Sequence, residues 1–212
     1  TAPGTSPEAK YITDKGVKAA TLYGGTADLA MIRECLMDTR DAALALGCDK
    51  QYIDTLNSTL KKLLPYKIGS RGNLQEWFHD WEDEDWHHRH QSHLFGLFPG
   101  HHISLKNNPA LAKACAKSLE IKGDKTTGWS TGWRVNLFAR LHDAASAYHI
   151  YRKLLFAVTP DDYYGPDAYK KANHLLDIEW QEIIDKYGLD IHYDTLRKAT
   201  QTIFGGAFVS EY

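Results

Sequence analysis

The residues best suited to chemistry lie in one stretch, from Tyr66 to about Ser104, where Trp, His, Gly and acidic residues are dense. Within it, Glu76 is flanked by Leu74 and Trp77. A carboxyl group held beside an indole in a partly dry pocket has a disfavoured charged form, so its pKa rises, as a general acid near neutral pH requires. Glu76 is therefore predicted to be a general acid with a raised pKa. The alternative is a solvated loop glutamate.

Three histidines follow Glu76 at short spacing: His88, His90 and His93. Imidazole is the commonest zinc ligand, and a catalytic zinc needs three protein groups and an open position. The spacing matches no H-E-x-x-H pattern. Because neutral imidazoles also exchange hydrogen bonds with hydroxyl groups, we expect neither a metal nor another cofactor. A metal-dependent hydrolase stays as an alternative.

Two further groups of residues allow more than one interpretation. The acidic cluster predicts a solvated loop or, less well, a calcium loop, because its middle lacks the glycine that such loops need; it consists of Asp80, Glu82, Asp83, Glu84 and Asp85. Trp129 and Trp133 share a predicted helix face with Asn136 and Arg140. That face is either a ligand surface or plain core packing.

Most of the remaining chain reads as helices. Apolar periodicity predicts helices over 26–46, from Asp49 to Pro65, from Pro109 to Gly123, over 129–141, from Asp143 to Pro160, and over 167–187 and 193–203. Residues expected to face inward include Ile32, Leu46, Tyr151 and Leu155. Strand patterns are scarce. The predicted fold class is all-α, built from antiparallel helical hairpins in a bundle, a solenoid or a toroid.

Composition excludes several classes of protein. The 212 residues carry a formal net charge of −2, without the excess of Lys and Arg that a nucleic-acid surface needs. No apolar run reaches the length of a membrane-spanning helix, and the polar first residues do not resemble a signal peptide. The three cysteines form no CxxC pair and leave the redox compartment open.

Three long segments, in this order and at similar separations, resemble signature blocks of glycoside hydrolase family 95, the α-L-fucosidases: Gly72–Trp77, His88–Gly100 and Gly123–Leu141. The resemblance extends over Thr5 to Asp167. It implies part of an (α/α)6 toroid that hydrolyses terminal α-1,2-linked fucose in fucosylated glycans, with inversion at the anomeric carbon. It also implies Glu76 as the general acid, Trp77, His90, His93 and Trp129 as substrate-binding residues, and a periplasmic or extracellular location.

The chain departs from the family pattern on the side of the base. The resemblance implies an asparagine base polarised by an aspartate. The asparagine segment belongs upstream of this sequence, and the aspartate block is not found after Asp167, with Asp124 and Asp177 as candidate substitutes. We therefore expect a partial barrel over residues 1–171 and a divergent helical tail over 172–212. Alone, the chain is expected to be inactive or barely active, and to self-associate or bind a partner chain that completes the barrel.

A second function stays open at this point. Trp77, Trp81 and Trp129 could stack on sugars in a non-catalytic carbohydrate-binding or structural module. The sequence also leaves open whether the sugar is fucose or galactose.

Overall fold

The computed structural model describes residues 1–47 and 49–156. In these residues the chain forms five α-helices: α1 (Thr26–Leu46), α2 (Lys50–Lys62), α3 (Pro109–Lys122), α4 (Gly128–Arg140) and α5 (Ala144–Phe156). A short 3-10 helix spans Ser92–Gly96. The predicted helices within this part of the chain are confirmed, and the helices predicted over 167–187 and 193–203 lie outside it.

Capping residues explain where the helices begin and end. Gly47 adopts the left-handed conformation at φ 63° and its N–H bonds the carbonyls of Ala43 and Leu44, which ends α1. Asp49 accepts a 2.9 Å hydrogen bond from the N–H of Tyr52 at the start of α2. Asn108, the residue before α3, makes no capping bond to the helix and binds the loop before it: its Oδ1 accepts from the N–H of Ser104 and its Nδ2 donates to the carbonyl of His102.

Within residues 1–47 and 49–156, five two-residue strands supplement the helices, so the all-α prediction is right about the helix-rich character and wrong in omitting strands. β1 (Gly4–Thr5) pairs with β4 (Thr21–Leu22), and β2 (Tyr11–Ile12) pairs on one side with β3 (Lys18–Ala19) and on the other with β5 (Glu82–Asp83). All three pairings are antiparallel. Two residues are too few to show alternating hydrophobicity. The toroid stays a prediction.

The described residues fall into two compact units. The first comprises 1–47, 49–124 and 137–142; in it, α1 packs against α2 and against the 3-10 helix. Its fully buried side chains include Leu74, Leu94 and Leu97. The second unit comprises 125–136 and 143–156, with Ile150 and Ser130 buried. The predicted tail from residue 172 lies outside the described residues.

Several apolar positions predicted to face inward are exposed. Ile32 is 37% exposed, Leu46 79%, Tyr151 46% and Leu155 47%. The buried positions of α1 are instead small residues: Ala27, Ala30 and Ala43. The inward-face prediction is therefore wrong for these four residues, because periodicity identifies an apolar stripe without identifying what covers it. Within the described residues, every helix is too short or too polar to cross a membrane.

The stability of the first unit should depend on the buried side chains in and directly after the 3-10 helix. Leu97 is 0% exposed, and its replacement by alanine leaves a cavity that lowers the free energy of unfolding by about 2–5 kcal/mol. Leu46→Ala, at a side chain that is 79% exposed, should change it by about 0.5 kcal/mol or less. Urea unfolding followed by circular dichroism measures both, and equal losses would contradict this description of the core.

Candidate active site

The backbone of the segment from Gly72 to Trp77 is fixed between the start of α1 and the body of α3. The N–H of Thr26 bonds the carbonyl of Glu76 at 3.1 Å, and the Thr26 hydroxyl donates to the carbonyl of Gln75 at 2.6 Å. On the other side, the N–H of Leu74 bonds the Ser118 hydroxyl at 3.0 Å. The first residue of one helix and a side chain of another therefore determine where Glu76 lies.

The side chain of Glu76 is buried and surrounded by polar groups from three parts of the chain. The Ser6 hydroxyl donates to Oε1 at 2.5 Å. Oε2 lies 3.1 Å from Nδ1 of His93 and 3.9 Å from Nζ of Lys122. Both are ion-pair separations, but Oε2, Nδ1 and Nζ lack aligned hydrogen bonds. One carboxylate oxygen is thus held by a hydroxyl, and the other is buried between His93 and Lys122 without an aligned hydrogen bond.

A cleft opens beside this carboxyl. It is small and open to solvent, and it is lined by Asn73, Glu76, Asp83, Trp86, His93, Ser118, Ile121 and Lys122. Sequence reasoning predicted Glu76 and His93 as site residues, and the structure brings them together. Lys122 was missed because nothing in the pattern of α3 distinguishes a buried lysine from a solvated one.

The pKa of Glu76 is opposite to the prediction. Burial raises it, but the charge of His93 and its contact, the charge of Lys122 and the hydrogen bond from Ser6 together lower it to about 2. The expectation of a raised pKa is therefore wrong. Burial, which raises the pKa, is present, but the charges of His93 and Lys122 and the hydrogen bond from Ser6 outweigh it.

Asp83 is the carboxyl whose pKa is raised, to about 6. Burial is the main cause, and the negative charge of Glu76 adds to it. The indole N–H of Trp77 donates to Oδ1 of Asp83 at 2.9 Å and partly opposes the shift. Asp83 lies in β5, and it is the one member of the acidic cluster that lines the cleft. Its proximity to Trp77 in sequence was the signal that could have identified it.

The other acids of the cluster bind separate partners, which agrees with a braced loop. Asp80 accepts from the N–H of Ser70, Glu82 pairs with Arg71, Glu84 pairs with Lys10 and Lys18, and Asp85 accepts from the N–H of His87. They do not converge on one point as calcium ligands would.

The three histidines do not form a metal site. His93 contacts Glu76, whereas the rings of His88 and His90 lie 5.2 Å apart, centroid to centroid. Burial lowers the pKa of both His88 and His90. Nε2 of His90 lies 3.4 Å from Glu8, which also pairs with Arg89. His90 therefore braces the N-terminal segment close to Ser6.

Among the described residues, the group with a separation suitable for a metal is Glu34, Asp38 and His101, whose ligand atoms lie within 4.8 Å of one another. Asp38 and His101 are exposed. The Glu34 carboxylate is already held by His101 and by Nδ1 of His102, the latter at 2.6 Å. These contacts account for the group as a hydrogen-bonded cluster.

The tryptophans differ in how much of their rings is free. Trp77 is 3% exposed and meets the ring of Tyr11 edge-on at 5.0 Å. Trp81 is half-buried and stacks with Tyr11 at 5.0 Å and with His79 at 4.4 Å. Trp129 belongs to the second unit, is 46% exposed and lies 5.9 Å from the ring of Trp133.

Known proteins resemble this chain over most of its length. The profile of the family described as "Glycosyl hydrolase family 95 catalytic domain" matches residues 1–178. "Alpha-L-fucosidase 2" of Arabidopsis thaliana is 40% identical over 161 residues, which cover 76% of this chain and 19% of that protein. "Probable alpha-fucosidase A" of Aspergillus oryzae is 30% identical over 163 residues, covering 69% and 21%. The same-named protein of Aspergillus niger is 34% identical over 107 residues, covering 47% and 14%.

The chain therefore spans about a fifth of the length of the relatives it matches. The family profile covers well over half of the chain, and the segments from Gly72 to Trp77 and from His88 to Gly100, which hold Glu76 and His93, lie inside the match. The chain belongs to the glycosyl hydrolase family 95 catalytic domain.

Proposed function

We propose that this chain forms the acid side of an α-L-fucosidase active site and that Glu76 donates the proton to the departing glycosidic oxygen. The proposal rests on family membership, on the names of the relatives, and on one observation: Glu76 is buried at the edge of a cleft with an oxygen, Oε2, that lacks a hydrogen bond. The proposed substrate is terminal α-1,2-linked fucose in a fucosylated glycan, and the proposed stereochemical outcome is inversion.

A low pKa of Glu76 is compatible with proton donation when the Glu76–His93 pair is treated as one unit. Two groups 3.1 Å apart titrate together, and the proton between them belongs to the pair. The pKa of Glu76 is lowered to about 2, so the carboxyl holds the negative charge, and the imidazole of His93, 3.1 Å away, is the nearest group that can exchange a proton with it. A glycosidic oxygen that approaches Oε2 draws the proton to the carboxyl and then accepts it. The imidazole thus stores the proton that the carboxyl delivers.

Inversion also requires a base that activates water on the opposite face of the sugar. We propose that this group comes from another part of the barrel. Neither candidate substitute for the missing aspartate is supported as part of this site. Asp124 does not line the cleft, and Asp177 lies outside the described residues. The chain is therefore proposed to form one side of a divided site, that is, an active site whose acid and base lie on different parts of the barrel.

Incomplete burial of apolar side chains supports association with the rest of a barrel. Leu44 and Leu46 of α1 are 56% and 79% exposed, and Tyr148 of α5 is 63% exposed. Exposed apolar patches favour contact with another surface. We propose self-association or a partner chain that completes the barrel, and, from family membership, action in the periplasm or outside the cell.

The carbohydrate-binding module is the weaker alternative. Trp77 is buried and Trp81 already stacks with Tyr11 and His79, so Trp129 is the most exposed ring of the proposed set. Such a module would retain sugar affinity in Glu76→Gln and show no turnover at any pH.

The purified chain, incubated alone with 2′-fucosyllactose from pH 4 to pH 8, should release at most traces of fucose, because it contributes a proton donor without a base. Fucose is quantified by chromatography, with Glu76→Gln protein as the blank. Clear release above that blank would contradict a divided site.

In any preparation that cleaves 2′-fucosyllactose, whether the chain alone or combined with the polypeptide that completes the barrel, Glu76→Gln should lower kcat by about two to four orders of magnitude, since an amide donates no proton to the leaving oxygen. Glu120→Gln, at a carboxyl that is 70% exposed, is the matched control. A chelator should leave the rate unchanged. A large loss in Asp83→Asn with little loss in Glu76→Gln would assign the acid role to Asp83.

Asp83 should make stability depend on pH in a defined direction. Its pKa in the folded chain is about 6, above the unfolded value near 3.9, so its contribution is fully present below about pH 4 and is lost as pH rises through about 6. From pH 4 to pH 7, the wild-type protein should lose on the order of 1–3 kcal/mol of unfolding free energy relative to Asp83→Asn, which does not titrate.

Urea unfolding at each pH measures the difference between wild type and Asp83→Asn. Asp54→Asn, at an exposed position of α2, is the control and should follow the wild-type pH dependence. A difference between wild type and Asp83→Asn that is constant, or that grows in favour of wild type as pH rises, would show that Asp83 does not bind its proton more tightly in the folded chain.

A further inference from the structure

Lys122 is a buried cation that the proposed proton transfer does not use. It is the last residue of α3, is 4% exposed, and its Nζ has no hydrogen-bond partner. Burying an ammonium group without a hydrogen bond is strongly unfavourable unless an opposite charge compensates. The carboxylate that compensates here is Glu76, whose Oε2 lies 3.9 Å from Nζ.

The position of Lys122 on its helix favours the charged form. The C-terminal end of an α-helix carries partial negative charge and stabilises a cation there. The backbone is held in place as well, because the carbonyl of Lys122 lies 3.3 Å from Nδ1 of His87, and the N–H of Gly123 caps the helix. The ammonium is therefore directed at the cleft by the geometry of the helix end.

Other titratable groups act on the same carboxyl. His93 faces Glu76 from the 3-10 helix, and Asp83 lines the cleft from β5. The charge of Glu76 raises the pKa of His90, and the charge of Lys122 lowers the pKa of both His88 and His90. Of these groups, His93 and Lys122 lie within ion-pair distance of Oε2 of Glu76.

We propose that Lys122 is a positioning residue whose ammonium holds Glu76 in its ionised form and so keeps the proton of the Glu76–His93 pair on the imidazole until a substrate enters the cleft. The effect of Lys122 on the charge of Glu76 is inferred from the contacts of Lys122 alone. The consequence for proton donation rests on the proposed function. A cation that favours the deprotonated carboxyl also makes the pair a stronger acid, which assists transfer to a weakly basic glycosidic oxygen.

The experiment measures the titration of Glu76 directly in the full chain. Protein labelled with ¹³C at the glutamate side-chain carboxyl is titrated by NMR, and the Glu76 signal is assigned by its loss in Glu76→Gln. In wild type, the midpoint should lie well below that of an ordinary glutamate. In Lys122→Met and Lys122→Gln it should move to higher pH by about one to three pH units, because an opposite charge nearby has been removed.

Two variants control for effects other than charge. Lys122→Arg keeps the charge and should leave the midpoint close to wild type. Lys117→Met removes an exposed lysine of the same helix, paired with Glu120, and should leave it unchanged. In an active preparation, Lys122→Met should also move the alkaline limb of the pH–rate profile to higher pH, because the pair then loses its proton less readily.

An unchanged midpoint in the neutral variants would overturn the proposal, as would an ordinary glutamate midpoint in wild type. If both neutral variants fail to fold, an ordinary glutamate midpoint in wild type still overturns the proposal, because a cation 3.9 Å from Oε2 must lower that midpoint. Because the signal is a carboxyl resonance and not turnover, its outcome is separate from that of the fucosidase proposal. A shifted midpoint in a chain that never hydrolyses fucosides would support Lys122 as a partner of Glu76 and contradict only the assigned activity.

Discussion

The first unit depends on neutralising one carboxylate that has been removed from water. Burying an ion is costly, and the cost is offset only when opposite charge and hydrogen bonds surround it. Around Glu76 these groups are Ser6, His93 and Lys122, from the N-terminal segment, the 3-10 helix and the end of α3. Since the three lie far apart in sequence, the carboxylate is stable only when those segments have already been brought together. Site and fold are therefore one energetic unit.

The long segment between α2 and α3 has little regular secondary structure and is nevertheless well positioned. Its backbone groups bond Thr26 at the start of α1 and Ser118 on α3, and β5 adds a strand to β2 of the N-terminal segment. Residues 73–77 of this segment are buried, and buried backbone needs partners for its polar atoms. Different backbone hydrogen bonds place Glu76 and Asp83 at the same cleft. Two neighbouring carboxyls can therefore have different electrostatic surroundings.

Helix limits follow from the sequence, because capping residues such as Gly47 and Asp49 are local signals. Glu76 and His93 were named as site residues through the family resemblance, and the structure places them 3.1 Å apart. The direction of the pKa shift does not follow from the sequence. That direction depends on Ser6, 70 residues before Glu76, and on Lys122, and a local pattern contains no information on such contacts. The same limit explains the missed two-residue strands and the exposed Leu46.

The charge balance of the cleft restricts what the proposed base can be. Glu76 and Asp83 face His93 and Lys122, two acids opposite two basic groups, so the acid side is close to neutral without substrate. A neutral sugar can enter without upsetting this balance. A second carboxylate placed nearby as base would repel Glu76, raise its pKa and weaken the charge separation within the pair. A neutral amide base, as the family resemblance implies, would activate water without adding that repulsion, and so suits the proposed delivery of a proton by the Glu76–His93 pair.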